Sequence, residues 1–100
     1  MTQVRRMGRW MYTVDERILE HLAEESWASP STMEVVPEFQ QMDVDEKYIN
    51  QRCKQLVERE LIAPIAIEYD MFEITNLGLA YLRGDLDAEC LPRWSIQIYK

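Results

Sequence analysis

One hundred residues make a single domain with room for one core, and a chain that is 47% hydrophobic and 10% aromatic is not a disordered one. No apolar run approaches the ~20 residues of a membrane span, and the N-terminus lacks the apolar centre of a signal peptide, so a cytoplasmic protein is expected. A formal charge of −7 excludes a uniformly basic polyanion binder.

The charge is unevenly spread. Residues 1–13 hold Arg5, Arg6 and Arg9 without an acid, giving +3, and residues 14–46 set ten acids against Arg17, giving −9. Residues 47–59 return to +3 through Lys47, Arg52, Lys54 and Arg59 against Glu58, and the remainder carries −4. Only three of the eleven basic residues are lysine. Many acids with few lysines suggest a halophilic origin. Cys53 and Cys90, without a CxxC or a second histidine, offer no metal site and are read as reduced thiols.

In chain order, residues 1–12 form a basic arm ending in Trp10 and Tyr12, a segment that either lies against DNA or frays. Thr13 opens a helix with Glu16 in a capping box. Ile18, Leu22, Leu19 and Trp27 supply its buried stripe, and Asp15, Glu16, Glu20, Glu24 and Glu25 a solvated face. His21 has no partner histidine and reads as a surface or half-buried residue. Ser29-Pro30 fits an N-cap with proline at the first helical position, with Ser31 and Glu34 as a competing box. Met33 and Val36 face inward, Pro37 ends or kinks the helix, and Phe39 and Met42 pack beyond it.

The stretch Asp43–Leu61 is the most informative. Asp43 and Glu46 stand at capping-box spacing, and Ile49, Cys53, Leu56 and Val57 draw one apolar stripe. Lys47, Asn50, Gln51, Arg52 and Lys54 occupy the other face, the side-chain types that read base edges and phosphates. This is the pattern of a recognition helix, preceded by a positioning helix on a longer connection than the usual three or four residues.

After Leu61 the period drops to two. Ile62–Ile67 and Met71–Ile74 predict a hairpin around Glu68-Tyr69-Asp70, with Pro64 on an edge strand. Thr75 caps a further helix bearing Leu77, Ala80, Tyr81 and Leu82, which Gly84 ends. In the extension 85–100, Trp94, Ile96 and Ile98 alternate as a strand does, for docking or dimerisation together with Trp10. The fold class is therefore mainly α with a small β-hairpin. It is a winged helix-turn-helix over residues 13–84, with a three-helix core, a β wing and a C-terminal helix.

Four segments carry a more specific resemblance. Met7-Gly-Arg-Trp-Met11, Asp15-Glu-Arg-Ile-Leu-Glu20, Tyr48 to Leu56 with Arg52-Cys53-Lys54, and Phe72-Glu-Ile-Thr-Asn-Leu-Gly-Leu-Ala-Tyr-Leu-Arg-Gly-Asp-Leu-Asp87 resemble haloarchaeal winged-helix proteins of the phage φH repressor type. Over residues 5–87 the resemblance implies a cytoplasmic, dimeric, DNA-binding transcriptional regulator, a repressor, with double-stranded DNA as partner. The chain departs from that pattern in a longer Pro30–Cys53 segment, in Asp45 and Glu46 at the start of the recognition helix, and in a wing without a basic residue between Glu60 and Asn76.

Lys47, Tyr48, Asn50, Gln51, Arg52 and Lys54 are the candidate DNA contacts, with Arg5, Arg6 and Arg9 on the backbone beside the site. Asn50 and Gln51 suit adenine, and Arg52 or Lys54 guanine or phosphate. The competing assignment pairs Arg52 and Lys54 with acids of the first helix and leaves the amides solvated. Separately, the acidic wing with Asp45 and Glu46 favours a protein-interaction module that does not bind DNA. No nucleophile–base pair, phosphate loop, cofactor motif or small-molecule site is legible, so no enzyme is expected.

Overall fold

The structure is a computed structural model that describes residues 4–66 and 70–91. Helix α1 spans Thr13–Glu24, capped one residue earlier than the Thr13/Glu16 pair predicts. The carboxylate of Asp15 turns back to accept from the Tyr12 N–H at 2.8 Å. Ile18, Leu19 and Leu22 are buried, as their spacing requires, whereas Asp15, assigned to the solvated face, is 0% exposed. Trp27, assigned to the stripe, is 57% exposed. The reason is Ala28, which turns inward to pair with Phe72, and side chains alternate along an extended segment.

The positioning helix is two short helices, α2 (Pro30–Glu34) and α3 (Pro37–Gln41). Ser29 caps α2 with Pro30 next to it, and its box partner is Thr32 rather than the Ser31/Glu34 pair. Pro37 both ends and begins a helix. It keeps Val36 extended, at φ −75° and ψ 134°, and its own fixed φ suits the first position of α3. Met33 and Phe39 carry these helices into the core.

Helix α4 spans Glu46–Glu58, shorter than the predicted 43–61 at both ends. Asp43 cannot begin it, because its backbone is left-handed at φ 58°. Asp45 caps it instead, accepting from the Tyr48 N–H at 2.9 Å. At the far end Glu60 is left-handed (φ 62°), and the Glu60 and Leu61 N–H groups close onto the Val57 and Leu56 carbonyls. Ile49, Cys53 and Leu56 are buried.

Strands β1 (Ile62–Ala66) and β2 (Met71–Ile74) pair antiparallel, with a bulge between Pro64 and Ala66. The other edge of β2 is covered by Ala28, which exchanges hydrogen bonds with Phe72 at 2.9 and 3.1 Å. Phe72 thus spends its backbone groups on Ala28, and Pro64, opposite Phe72, directs its missing N–H to the open edge, where it blunts further pairing. Of the predicted tip, Ile67, Glu68 and Tyr69 lie outside the described residues. Helix α5 (Asn76–Arg83) is capped by the Thr75 hydroxyl, which accepts from the Gly78 N–H and donates to the Glu60 carbonyl at 2.6 Å. Gly78 admits no side chain, since a Cβ there stands 2.3 Å from the Leu61 carbonyl oxygen. Gly84, at φ 84°, ends the helix.

The N-terminal segment is not a free arm. Arg6 bridges Asp87, with its carbonyl accepting from the Ala88 N–H at 3.0 Å, and the Trp10 indole donates to the Ala88 carbonyl at 3.0 Å. Arg59 stacks 4.3 Å from the Trp10 ring and donates to the Leu91 carbonyl. Trp10, expected as a dimer surface, is used internally. Trp94, Ile96 and Ile98 lie outside the described residues.

Burial raises the Cys53 thiol from 9.0 to about 12. Burial, then the hydrogen bond from Tyr81 to Glu16, raises the Tyr81 phenol above its ordinary 10.0. In the unfolded chain both groups release protons at lower pH than in the folded one. Their contribution is therefore complete below about pH 9 and is lost as pH rises toward the folded values, by up to about 1.4 kcal/mol per pH unit for each group. Urea midpoints should hold steady to about pH 8.5 and then fall, less steeply for Cys53→Ala; an unchanged midpoint at about pH 11 contradicts this coupling.

Candidate nucleic-acid interface

The side of α4 toward α1 is fixed by one arginine. Arg52 donates through Nε and Nη2 to the two carboxylate oxygens of Asp15, at 2.9 and 2.8 Å, and through Nη2 to the Trp10 carbonyl at 3.1 Å. Its guanidinium also lies 4.7 Å from the centre of the Tyr12 ring. The bond to Asp15 outweighs burial and raises the guanidinium above its ordinary pKa. Such a side chain is structural. The direct base or phosphate contact expected of Arg52 does not agree with this geometry, because its Nε and Nη2 donors are held inside the protein.

The solvent side of α4 is a ridge. Lys47, Gln51 and Lys54, at i, i+4 and i+7, are exposed. Asn50 is half-buried on one flank, with its side-chain oxygen buried and unpartnered, and Tyr48 is half-buried on the other, one turn before Arg52. The guanidinium groups are mostly matched to carboxylates elsewhere. Arg5 pairs with Glu20 and Glu16, Arg9 with Glu89, Arg17 with Glu20 and Glu24, and Arg83 with Asp85. Among the described residues, Lys47, Lys54 and Arg6 have no carboxylate within 4 Å, so the pairing of Lys54 with the first helix is not found.

The two ends of the interface differ. At the start of α4, Glu34 accepts from the Glu46 N–H at 3.1 Å, Asp43 and Asp45 line an open groove shared with Tyr48, and Glu46 is exposed beside it. Two of the free N–H groups of the first turn are therefore already held by carboxylates. Arg5 and Arg9 sit away from the ridge: Arg5 donates to the Leu82 carbonyl and to Glu20, and the Arg9 N–H and guanidinium both reach Glu89, whose pKa the backbone N–H lowers. Of the expected contacts, α4 thus gathers Lys47, Tyr48, Asn50, Gln51 and Lys54, and Arg6 remains exposed beside Asp87. The pairing of Arg52 with an acid of the first helix, the competing assignment, is present, and the acid is Asp15, which sequence spacing alone places on the solvated face.

Three helices, the second broken at Pro37, then a hairpin and a closing helix define a winged helix-turn-helix protein. Residues 4–93 match the winged helix-turn-helix phage repressor family, and the chain belongs to it. The solved structure of the PhiH1 repressor-like protein from Haloarcula marismortui is similar, with a TM-score of 0.82 and 33% sequence identity over 94% of this chain and 100% of that one. The φH repressor-type resemblance and the fold class read from the residues agree with both findings. No curated protein matches the chain. No described helix is long and apolar enough to cross a membrane.

Removing Asp15 strands a half-buried guanidinium. Asp15→Ala is expected to cost about 3–5 kcal/mol by urea unfolding, much of the stability of a domain this size, while the double variant Asp15→Leu/Arg52→Met recovers a large part. Equal loss in the single and double variants would show that the pair's charge is not what matters there.

Proposed function

We propose that this chain binds duplex DNA through α4 and regulates transcription as a cytoplasmic repressor. The observation that carries the reading is the ridge Lys47–Gln51–Lys54, where two uncommitted lysines bracket an exposed amide on a protein whose arginines are largely neutralised by carboxylates. Seven residues of helix rise ~10 Å, the length of about three stacked base pairs, so the ridge fits a short major-groove half-site. Gln51, with Asn50 at its flank, has the amide for bidentate contact to adenine. Lys47 and Lys54 serve guanine or phosphate, and Tyr48 and Arg6 the backbone.

The acidic body is compatible with this at high ionic strength. At ~1 M salt the Debye length is ~3 Å, so the carboxylates at the start of α4 repel phosphate only at close range, and contacts made directly to base edges carry the affinity. A homodimer would read two half-sites about one helical turn, ~34 Å, apart. Light scattering at high protein and salt concentration is expected to give the dimer mass, and a monomer there removes this part of the reading.

A gel-shift screen of genomic fragments in concentrated salt should yield a retarded fragment. For that fragment, Gln51→Ala is expected to lower specific affinity by about 1–3 kcal/mol, and an unchanged affinity takes Gln51 out of the reading set. The second reading, a protein-interaction module, draws on Asp43, Asp45 and Glu46 exposed at the tip of α4. It predicts no retarded fragment at any salt concentration.

A further inference from the structure

Tyr12 is 58% exposed, although it lies between the packed Trp10 and the buried Val14. Its ring is nonetheless held in place. The Arg52 guanidinium stands 4.7 Å from its centre, and that guanidinium is fixed by both oxygens of Asp15 and by the Trp10 carbonyl. The Tyr12 ring therefore stands against one immobilised guanidinium, on the side of α4 that faces α1.

Resting on the reading of α4 as the DNA-contacting helix, the geometry points to Tyr12 as a phosphate contact. Its hydroxyl donates to a phosphate oxygen of the strand that borders the groove holding α4. Three features make this side chain suited to the task. A ring already fixed by a guanidinium loses little freedom when it binds. The guanidinium behind it is itself anchored by Asp15 and the Trp10 carbonyl, so the ring keeps its place without loosening that pair. An uncharged donor in direct contact also keeps its strength where salt screens charge at a distance, which the lysines of the ridge do not.

The test compares the wild-type chain with Tyr12→Phe, Tyr12→Ala and Lys54→Gln on a duplex fragment that the wild type retards, at about 0.2 M and about 2 M KCl, with the melting temperature of each protein. Tyr12→Phe is expected to bind about tenfold more weakly at both salt concentrations with an unchanged melting temperature, since one hydrogen bond to a charged group is lost. Lys54→Gln should lose more at the lower salt. A Phe variant that binds as tightly as wild type overturns the proposal. So does a loss confined to Tyr12→Ala and accompanied by a fall in melting temperature, which is packing alone. If the wild type retards no fragment, the reading of α4 fails and carries this contact with it; retardation with an indifferent Phe variant removes only Tyr12.

Discussion

The carboxylate of Asp15 does two jobs at once. It accepts the Tyr12 N–H that opens α1, and it takes both donors of the Arg52 fork from α4. Because the guanidinium also reaches the Trp10 carbonyl, the start of α1, the rotation of α4 about its axis and the exit of the N-terminal segment are set by one group. A buried pair of this kind adds little net stability over an apolar packing of equal volume, since both charges leave water. What it adds is direction. Leucine and methionine at these positions pack at many angles, whereas a planar fork on a carboxylate accepts few. For a helix meant to present a particular ridge, that angular restriction is the useful property.

The charge of the chain reads differently once pairs are drawn. Arg5, Arg17 and Arg52 are partly buried against carboxylates of α1, and Arg9 is held by Glu89 near the far end of the chain. The basic N-terminal island seen in the sequence is thus largely spent on internal contacts. The lysines behave otherwise. Among the described residues, Lys47 and Lys54 on α4 have no carboxylate partner. The division follows the chemistry of the two side chains: the planar guanidinium suits buried bidentate pairing, and the strongly hydrated ammonium stays in water.

Legibility in the sequence followed the range of the interaction. Ser29-Pro30, Thr75 and Gly84 announce their roles through chemistry confined to one turn, and the structure uses all three as read. The stripe of Ile49, Cys53 and Leu56 was equally plain, because a helix repeats its own period. Where a distant partner decides, the pattern misleads. Asp15 looked solvated beside four glutamates, yet its partner is 37 residues away. Trp27 looked buried, yet the neighbouring Ala28 is claimed by Phe72. The start of α4 was ambiguous for a third reason: Asp43 and Asp45 are both competent caps, and the left-handed backbone at Asp43 makes the choice. In the site itself the ridge was visible from spacing, and pairing of Arg52 with a first-helix acid was one of two open assignments, while the identity of that acid and the exposure of Tyr12 were not visible.

The first turn of a recognition helix ordinarily offers free N–H groups and the positive end of the helix dipole to an anion. Here Asp45 holds the Tyr48 N–H and Glu34 the Glu46 N–H, with Asp43 and Glu46 exposed beside them. A phosphate approaching end-on would meet carboxylates where it would otherwise find donors. On the proposed reading the helix must therefore lie along its groove and present its side, and contact must begin at Lys47 and run toward Lys54. The acidic first turn and the clamp at Arg52 then serve the same geometry from opposite directions: one discourages the tip from phosphate, and the other fixes which side of α4 is left to face the bases.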